Sequence, residues 1–231
     1  PYVLKILIDD WYERADIVHF HLVHNELISL LSVPKIAREK KLIWTVHDPW
    51  IVTGHCIHPM DCQEWKKSCP KCDRLRTPKI VYMDMAHRMC RLKEKVVQGS
   101  DIHFVVASEW MKEMLVKSPI TKGKEVTVIP FGIDTASFEK VDRGLSRKRF
   151  DIEEGATVVA FRSDPGPYKG TRQAVEAMLS SELANGVVAL TFGKKGNAGP
   201  LSPRFRVIDL GWVFEEDMRA VLGAADIFVM P

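Results

Sequence analysis

Short apolar, β-branched runs alternate with amphipathic stretches along almost the whole of this 231-residue chain, and no other feature restricts its fold as much. Runs at Val3–Ile8, Ile17–Leu22, Leu42–Val46, Ile102–Ala107, Val126–Ile129, Thr157–Phe161, Val187–Phe192, Val207–Leu210 and Asp226–Met230 read as strands. Between them, Glu26–Lys41 (kinked near Pro34), Lys79–Val97, Glu109–Val116, Asp142–Phe150, Gly170–Ser181 and Glu215–Leu222 read as helices, with Ser108 placed to cap the third. Strands that alternate with helices imply doubly wound α/β layers with mostly parallel sheets. The length suits one large or two small domains. The boundary falls between Phe131 and Asp151: one domain over 1–134, a linker over 135–150 and a second domain over 151–231.

Composition excludes disorder: 46% of residues are hydrophobic and 27% charged. No apolar run approaches the length of a membrane span. The chain begins Pro1-Tyr2-Val3 without Met, so it is expected to be an interior piece. Its net charge of +3 is unevenly spread. Between Lys66 and Lys95, ten Lys or Arg face three Asp or Glu, a local +7. Such a cluster suits an anionic membrane surface, a phosphorylated lipid or a nucleic acid, or is a solvated helix face.

In open α/β sheets, ligands bind outside the carboxyl ends of the strands. The polar residues there are His21, His47-Asp48, Ser108, Gly132 and Arg162. Gly132 follows Pro130-Phe131, where glycine permits a turn that a Cβ would forbid. Arg162 ends one strand, and Lys169 stands at the mouth of the next helix. Two fixed cations beside a helix N-terminus form a site for a diphosphate, or else a surface salt-bridge pair. His47 by position alone reads as a loop-packing histidine capped by Asp48. Of His19, His21 and His24, only His21 lies well placed at a strand's end. The six tryptophans read as packing residues, with Trp50 singled out by its surroundings.

Cys56, Cys62, Cys69 and Cys72 fall within seventeen residues of a long loop over 48–78, and Cys69-Pro70-Lys71-Cys72 has the spacing of a zinc knuckle. Four thiolates around one Zn²⁺ would clamp that loop, with His55 or His58 able to replace a ligand. Disulfides or free buried thiols are the alternatives.

The string Trp44-Thr45-Val46-His47-Asp48-Pro49-Trp50, followed by Thr53-Gly54-His55-Cys56, closely resembles a bacterial polysaccharide branch of glycosyltransferase family 4. Arg162 with Lys169-Gly170, and the ending Ala224-Ala225-Asp226-Ile227-Phe228-Val229-Met230-Pro231, are similar to that family's donor half. The resemblance runs from Ala15 to Pro231. It implies a GT-B architecture, in which two Rossmann-like domains face a cleft and both are incomplete here. It implies a retaining enzyme that moves a sugar from a UDP- or GDP-sugar to a glycan or lipid-linked acceptor in polysaccharide synthesis, in the cytoplasm or at the inner membrane face. His47 would touch the donor sugar, and Arg162, Lys169 and Gly132 would serve the nucleotide diphosphate. With both cations in place, and no Asp-x-Asp motif in the chain, the diphosphate needs no metal. The family's two donor glutamates lie beyond Pro231, so this piece alone is expected to have little activity. The Arg162–Lys169 spacing is longer than the family's commonest.

Two rival readings remain. One is a zinc-clamped module for anions or nucleic acid, which leaves Arg162 and Lys169 unused. The other is a non-catalytic partner subunit of the same fold.

Overall fold

The computed structural model describes residues 9–24, 28–73, 83–138, 141–166, 168–182 and 186–230. The strand expected over Val3–Ile8 and the first residues of the helix expected over Lys79–Val97 lie outside the described residues. The chain divides into two compact units, Pro1–Gly132 and Ile133–Pro231.

In the first unit, helix α1 (Asp10–Arg14) precedes β1 (Ile17–Phe20), α2 (Val33–Glu39), β2 (Lys41–Val46), α3 (Ala86–Gln98), β3 (His103–Val106), α4 (Glu109–Lys117) and β4 (Val126–Val128). The four strands form one parallel sheet in chain order. The helix expected over Glu26–Lys41 is shorter than its apolar spacing suggests. Ser29 caps a 3-10 turn at Leu30–Ser32, α2 follows with Pro34 in its first turn, and Lys41 already belongs to β2. Leu42, Trp44 and Val46 alternate into the core with Phe104 and Val106, against Val33 and Ile36 of α2, Val96 and Val97 of α3, and Met111 and Leu115 of α4. Trp44 and Trp65 pack as expected, whereas Trp11, Trp110 and Trp212 are exposed.

The second unit contains α5 (Arg143–Arg149), β5 (Thr157–Ser163), α6 (Thr171–Ser180), β6 (Val187–Gly193), β7 (Arg206–Asp209), α7 (Glu215–Ala224) and β8 (Ile227–Val229). Its parallel sheet has the order β7-β6-β5-β8. Strands β5 and β6 are apolar and buried almost throughout, as central strands covered on both faces must be. Val159 and Phe161 point to one side with Ala174 and Met178 of α6; Val158 and Ala160 point to the other with Val221 and Ala224 of α7. Strand β5 runs to Ser163, two residues past its expected end, so Arg162 lies within the strand.

Helix α5, in the stretch expected to be a linker, is fastened to this sheet. The Arg147 guanidinium, almost fully buried, donates to Asp226 Oδ2 at 2.7 Å and to the Glu154 carbonyl at 2.5 Å. Asp226 also accepts from Arg143 and, at 2.7 Å, from the Val158 amide of β5. Burial pushes the Asp226 pKa up, but the Val158 amide and the two guanidinium groups outweigh it and hold the carboxyl below its ordinary value. Asp226→Asn is expected to cost about 2 kcal/mol, between the ranges for exposed and fully buried pairs. Because the folded pKa is depressed, that contribution is present above the unfolded-state value and is lost as pH falls through the folded one. Urea unfolding of parent and variant at neutral and acidic pH checks both the size and the sign.

Candidate active site

At the carboxyl ends of β1 and β2, two histidines meet. His21 Nδ1 lies 2.8 Å from His47 Nε2. One pleat earlier, His19 Nε2 lies 2.7 Å from Thr45 Oγ1. The register pairs Ile17 with Lys41 and Phe20 with Trp44, so both contacts run diagonally, each to the residue two beyond its direct partner. The sheet therefore sets the pairing of His21 with His47. The His19 and His21 rings lie 4.3 Å apart, and the His47 ring stacks on Phe131 at 5.1 Å. Burial lowers the His47 pKa below its ordinary 6.5, His21 pushes the same way and Asp48 opposes. The ring is therefore neutral at neutral pH, able to accept or donate one hydrogen bond to a hydroxyl.

Asp48 does not cap His47, contrary to the simplest reading of the sequence. Its carboxylate accepts from the Trp50 amide at 2.9 Å, capping a 3-10 turn at Pro49–Val52, and meets His24 Nε2 at 3.3 Å. Ser108 is spent on capping α4 through Met111. Gly132 is exposed, has no positive φ, and a Cβ there would meet no atom within 4 Å, so its turn does not require glycine. Pro130 and the residues after it leave β4 without the tight bend expected of Phe131-Gly132.

The loop that follows His47 is held from behind by α3. At Gly54 a Cβ would lie 2.5 Å from Ala86 Cβ, so this close approach excludes any side chain. Lys93, one of the ten cations of the basic segment, is fully buried on the apolar face of α3 with Cys90 and Val97. Its Nζ donates to the carbonyls of Trp50 at 2.5 Å and Thr53 at 2.8 Å, and sits 3.6 Å from the Trp50 ring centre. Arg88, Arg91 and Lys95 occupy the exposed face of the same helix.

The expected four-cysteine site is not assembled in this structure. Ser68 and Cys69 both adopt left-handed backbone conformations, and the Cys69 thiol is hydrogen-bonded to Cys90 of α3. That hydrogen bond lowers the Cys69 pKa to about 7 and pushes Cys90 up. His55 Nε2 lies 3.9 Å from Cys56 Sγ and 4.0 Å from Cys72 Sγ. His55, Cys56, Cys62, Cys69 and Cys72 line one cavity of about 330 Å³. Among the described residues no group of three or more His, Cys, Asp or Glu is placed to hold a metal ion.

In the second unit, the Arg162 carbonyl accepts from Thr171 Oγ1 at 3.3 Å, and the same hydroxyl accepts from the Asp164 amide at 2.7 Å. Asp164 Oδ1 accepts from the Gly166 amide at 2.9 Å. These bonds fold the long Arg162–Lys169 spacing back onto the N-terminus of α6. The Arg162 head is partly exposed, with Nη2 3.6 Å from Asp164 Oδ2, while its Nε is buried without a hydrogen-bond partner among the described residues. Its stem runs past Gly193, where φ is +114° and a Cβ would lie 2.5 Å from the Ser163 carbonyl. Lys169 is exposed and makes no ion pair among the described residues. Sequence reasoning missed Lys194, exposed at the end of β6 with its amide on the Ser163 carbonyl at 2.7 Å. Its position after a glycine at a strand end is the signal that could have found it. Arg162 thus lies near the carboxyl end of β5, Lys194 directly follows β6, and Lys169 stands two residues before the first residue of α6.

The family model described as Glycosyltransferase Family 4 matches residues 2–137. The chain belongs to glycosyltransferase family 4. Over 220 residues, it is 34% identical to the putative colanic acid biosynthesis glycosyl transferase WcaC of Escherichia coli (strain K12), covering 90% of this chain and 51% of that relative. The chain thus spans about half the length of the curated relative that it matches. Among solved structures, Anabaena Alr3699/HepE in complex with UDP and glucose aligns with a TM-score of 0.65 at 15% identity, over 99% of this chain and 55% of that one. A glycosyltransferase from Rickettsia africae aligns with a TM-score of 0.60 at 15% identity, over 98% of this chain and 53% of that one. These family 4 residues therefore adopt the α/β fold of GT-B glycosyltransferases: the alternation of strands and helices implies the doubly wound α/β layers, and the family resemblance implies GT-B. No helix among the described residues is long and apolar enough to cross a membrane.

Proposed function

We propose that the full-length protein is a retaining glycosyltransferase that moves a sugar from a nucleoside-diphosphate donor to a glycan or lipid-linked acceptor in cell-surface polysaccharide synthesis. The observation that carries this reading is the cationic rim of Arg162, Lys169 and Lys194 at the N-terminus of α6, in a chain of family 4. The UDP and glucose in the Anabaena structure, and the colanic acid biosynthesis in the name of the Escherichia coli relative, agree with it.

In the transfer, the bond from the sugar's anomeric carbon to the diphosphate oxygen breaks and a bond to the acceptor oxygen forms. The acceptor's hydroxyl proton leaves, and the diphosphate gains charge. Arg162 offers a planar fork to that growing charge and Lys169 a point charge, so both interactions strengthen in the transition state. His47, neutral and exposed at a strand end, supplies one hydrogen bond to a sugar hydroxyl. His47→Ala in the full-length protein is expected to keep nucleotide affinity within about threefold and to lower transfer about a hundredfold, the low end of what a positioned acid–base or hydrogen-bonding group contributes. Calorimetry with UDP and GDP beside a transfer assay tests this. Unchanged transfer by the variant would remove His47 from the site.

A further inference from the structure

We propose that His21 is a positioning residue for His47: it occupies the Nε2 edge of the His47 ring, leaves Nδ1 for the sugar, and limits the two rings to one added proton. This rests on the reading of His47 as a donor-sugar ligand. The 2.8 Å contact joins Nδ1 of one imidazole to Nε2 of the other, so one nitrogen donates and the other accepts. With Nε2 so engaged, only Nδ1 of His47 remains to meet a substrate hydroxyl. The cross-strand diagonal fixes the distance, the His19 ring backs His21, and the Phe131 ring backs His47. Neither imidazole can turn its shared edge away without losing a ring contact.

The proton count follows from the same contact. One added proton turns the pair into an imidazolium donating to an imidazole, a stronger, charge-assisted bond. A second would set two N–H groups and two positive charges against each other across 2.8 Å. His21 therefore opposes protonation of His47. Two other ionisable groups face the pair: His19, bonded to Thr45 and with its pKa lowered by burial and by His21 and His47, and Asp48, whose carboxylate is shared with the Trp50 amide and His24. Asp48 favours the charged form of His47 and so opposes His21, but it is outweighed by burial and His21 together.

The test is a ¹⁵N NMR titration of the ring nitrogens in this chain, as the parent and as His21→Ala and His21→Gln. Both positions are exposed, so folding should be spared. In His21→Ala the His47 midpoint should lie above that of the parent, because the repelling neighbour is gone. In the full-length protein, His21→Ala should lower kcat about tenfold at pH 8 and move the acidic limb of the profile upward. His21→Gln, whose amide can fill the same edge, should restore most of the rate while leaving the limb shifted. A His47 titration identical in parent and His21→Ala overturns the pairing. A shifted His47 titration with unchanged kcat in His21→Ala, while His47→Ala is inactive, overturns the positioning role. If His47→Ala itself transfers normally, the underlying assignment of His47 has failed instead.

Discussion

Arg162→Ala is expected to weaken binding of a nucleoside diphosphate by about 1.5–3 kcal/mol, the range for a hydrogen bond to a charged group. The backbone of Arg162 is held: its carbonyl accepts from Thr171 Oγ1 at 3.3 Å. The head is not committed elsewhere. Its contact with Asp164 is 3.6 Å long and substantially exposed, the kind of ion pair that contributes under about 1 kcal/mol. A diphosphate can displace it at the partly exposed end of the guanidinium. Lys169 lies on the surface, so Lys169→Ala should cost less, about 1 kcal/mol. Arg162→Lys should not restore affinity, because an ammonium cannot reproduce the planar pair of donors. In catalysis by the full-length protein the losses should be larger than in binding, since the leaving diphosphate gains charge as the bond breaks. Calorimetry with UDP and GDP reads the binding terms. If both alanine variants bind like the parent, the donor site lies elsewhere.

Elements buried on both faces were the most legible in the sequence. Strands β5 and β6 announce themselves as continuous apolar runs, and their expected limits differ from the structure by one or two residues. Helix α1 was not legible, because Asp10–Arg14 is only five residues long and buries Tyr12 alone, leaving no periodicity to read. Long-range pairings were also hidden. The His21–His47 contact depends on the register between β1 and β2, and the Cys69–Cys90 contact on two left-handed residues at Ser68 and Cys69. Spacing within the loop grouped Cys69 with its sequence neighbours, whereas backbone conformation turned it to α3. Lys93 looked like one more solvated cation, since charge counts ignore which helix face a residue occupies. Its place seven residues after Ala86 and three after Cys90, on the stripe that also holds Val96 and Val97, was the available clue.

That buried lysine leads to the largest expected loss of stability. Lys93→Met is expected to destabilise the first unit by about 3 kcal/mol, since each buried carbonyl left without its donor costs about 1–3 kcal/mol and the contact with the Trp50 ring is lost as well. Methionine fills a similar volume, so the loss isolates the polar contacts. The carbonyls of Trp50 and Thr53 belong to the loop that follows His47, and Lys93 is what joins them to α3. A neutral amine already supplies two N–H groups, enough for both; the third proton of the ammonium reaches only the more distant Gly54 carbonyl, at 3.5 Å. Burial pushes the Lys93 pKa down from 10.5 to about 7, against the pull of Cys90, Cys69, Asp48 and Cys56. The folded pKa is thus the lower one, and between about pH 7 and pH 10.5 the unfolded chain binds more protons at this site than the folded chain does. Stability from Lys93 therefore rises with pH across that window, and the gap between parent and Lys93→Met should widen from pH 7 to pH 9. Urea unfolding at several pH values, followed by the fluorescence of the tryptophans, measures both effects. A methionine variant with the parent's midpoint at every pH would mean that the loop is held without Lys93; a constant gap would mean that its amine stays charged in the core.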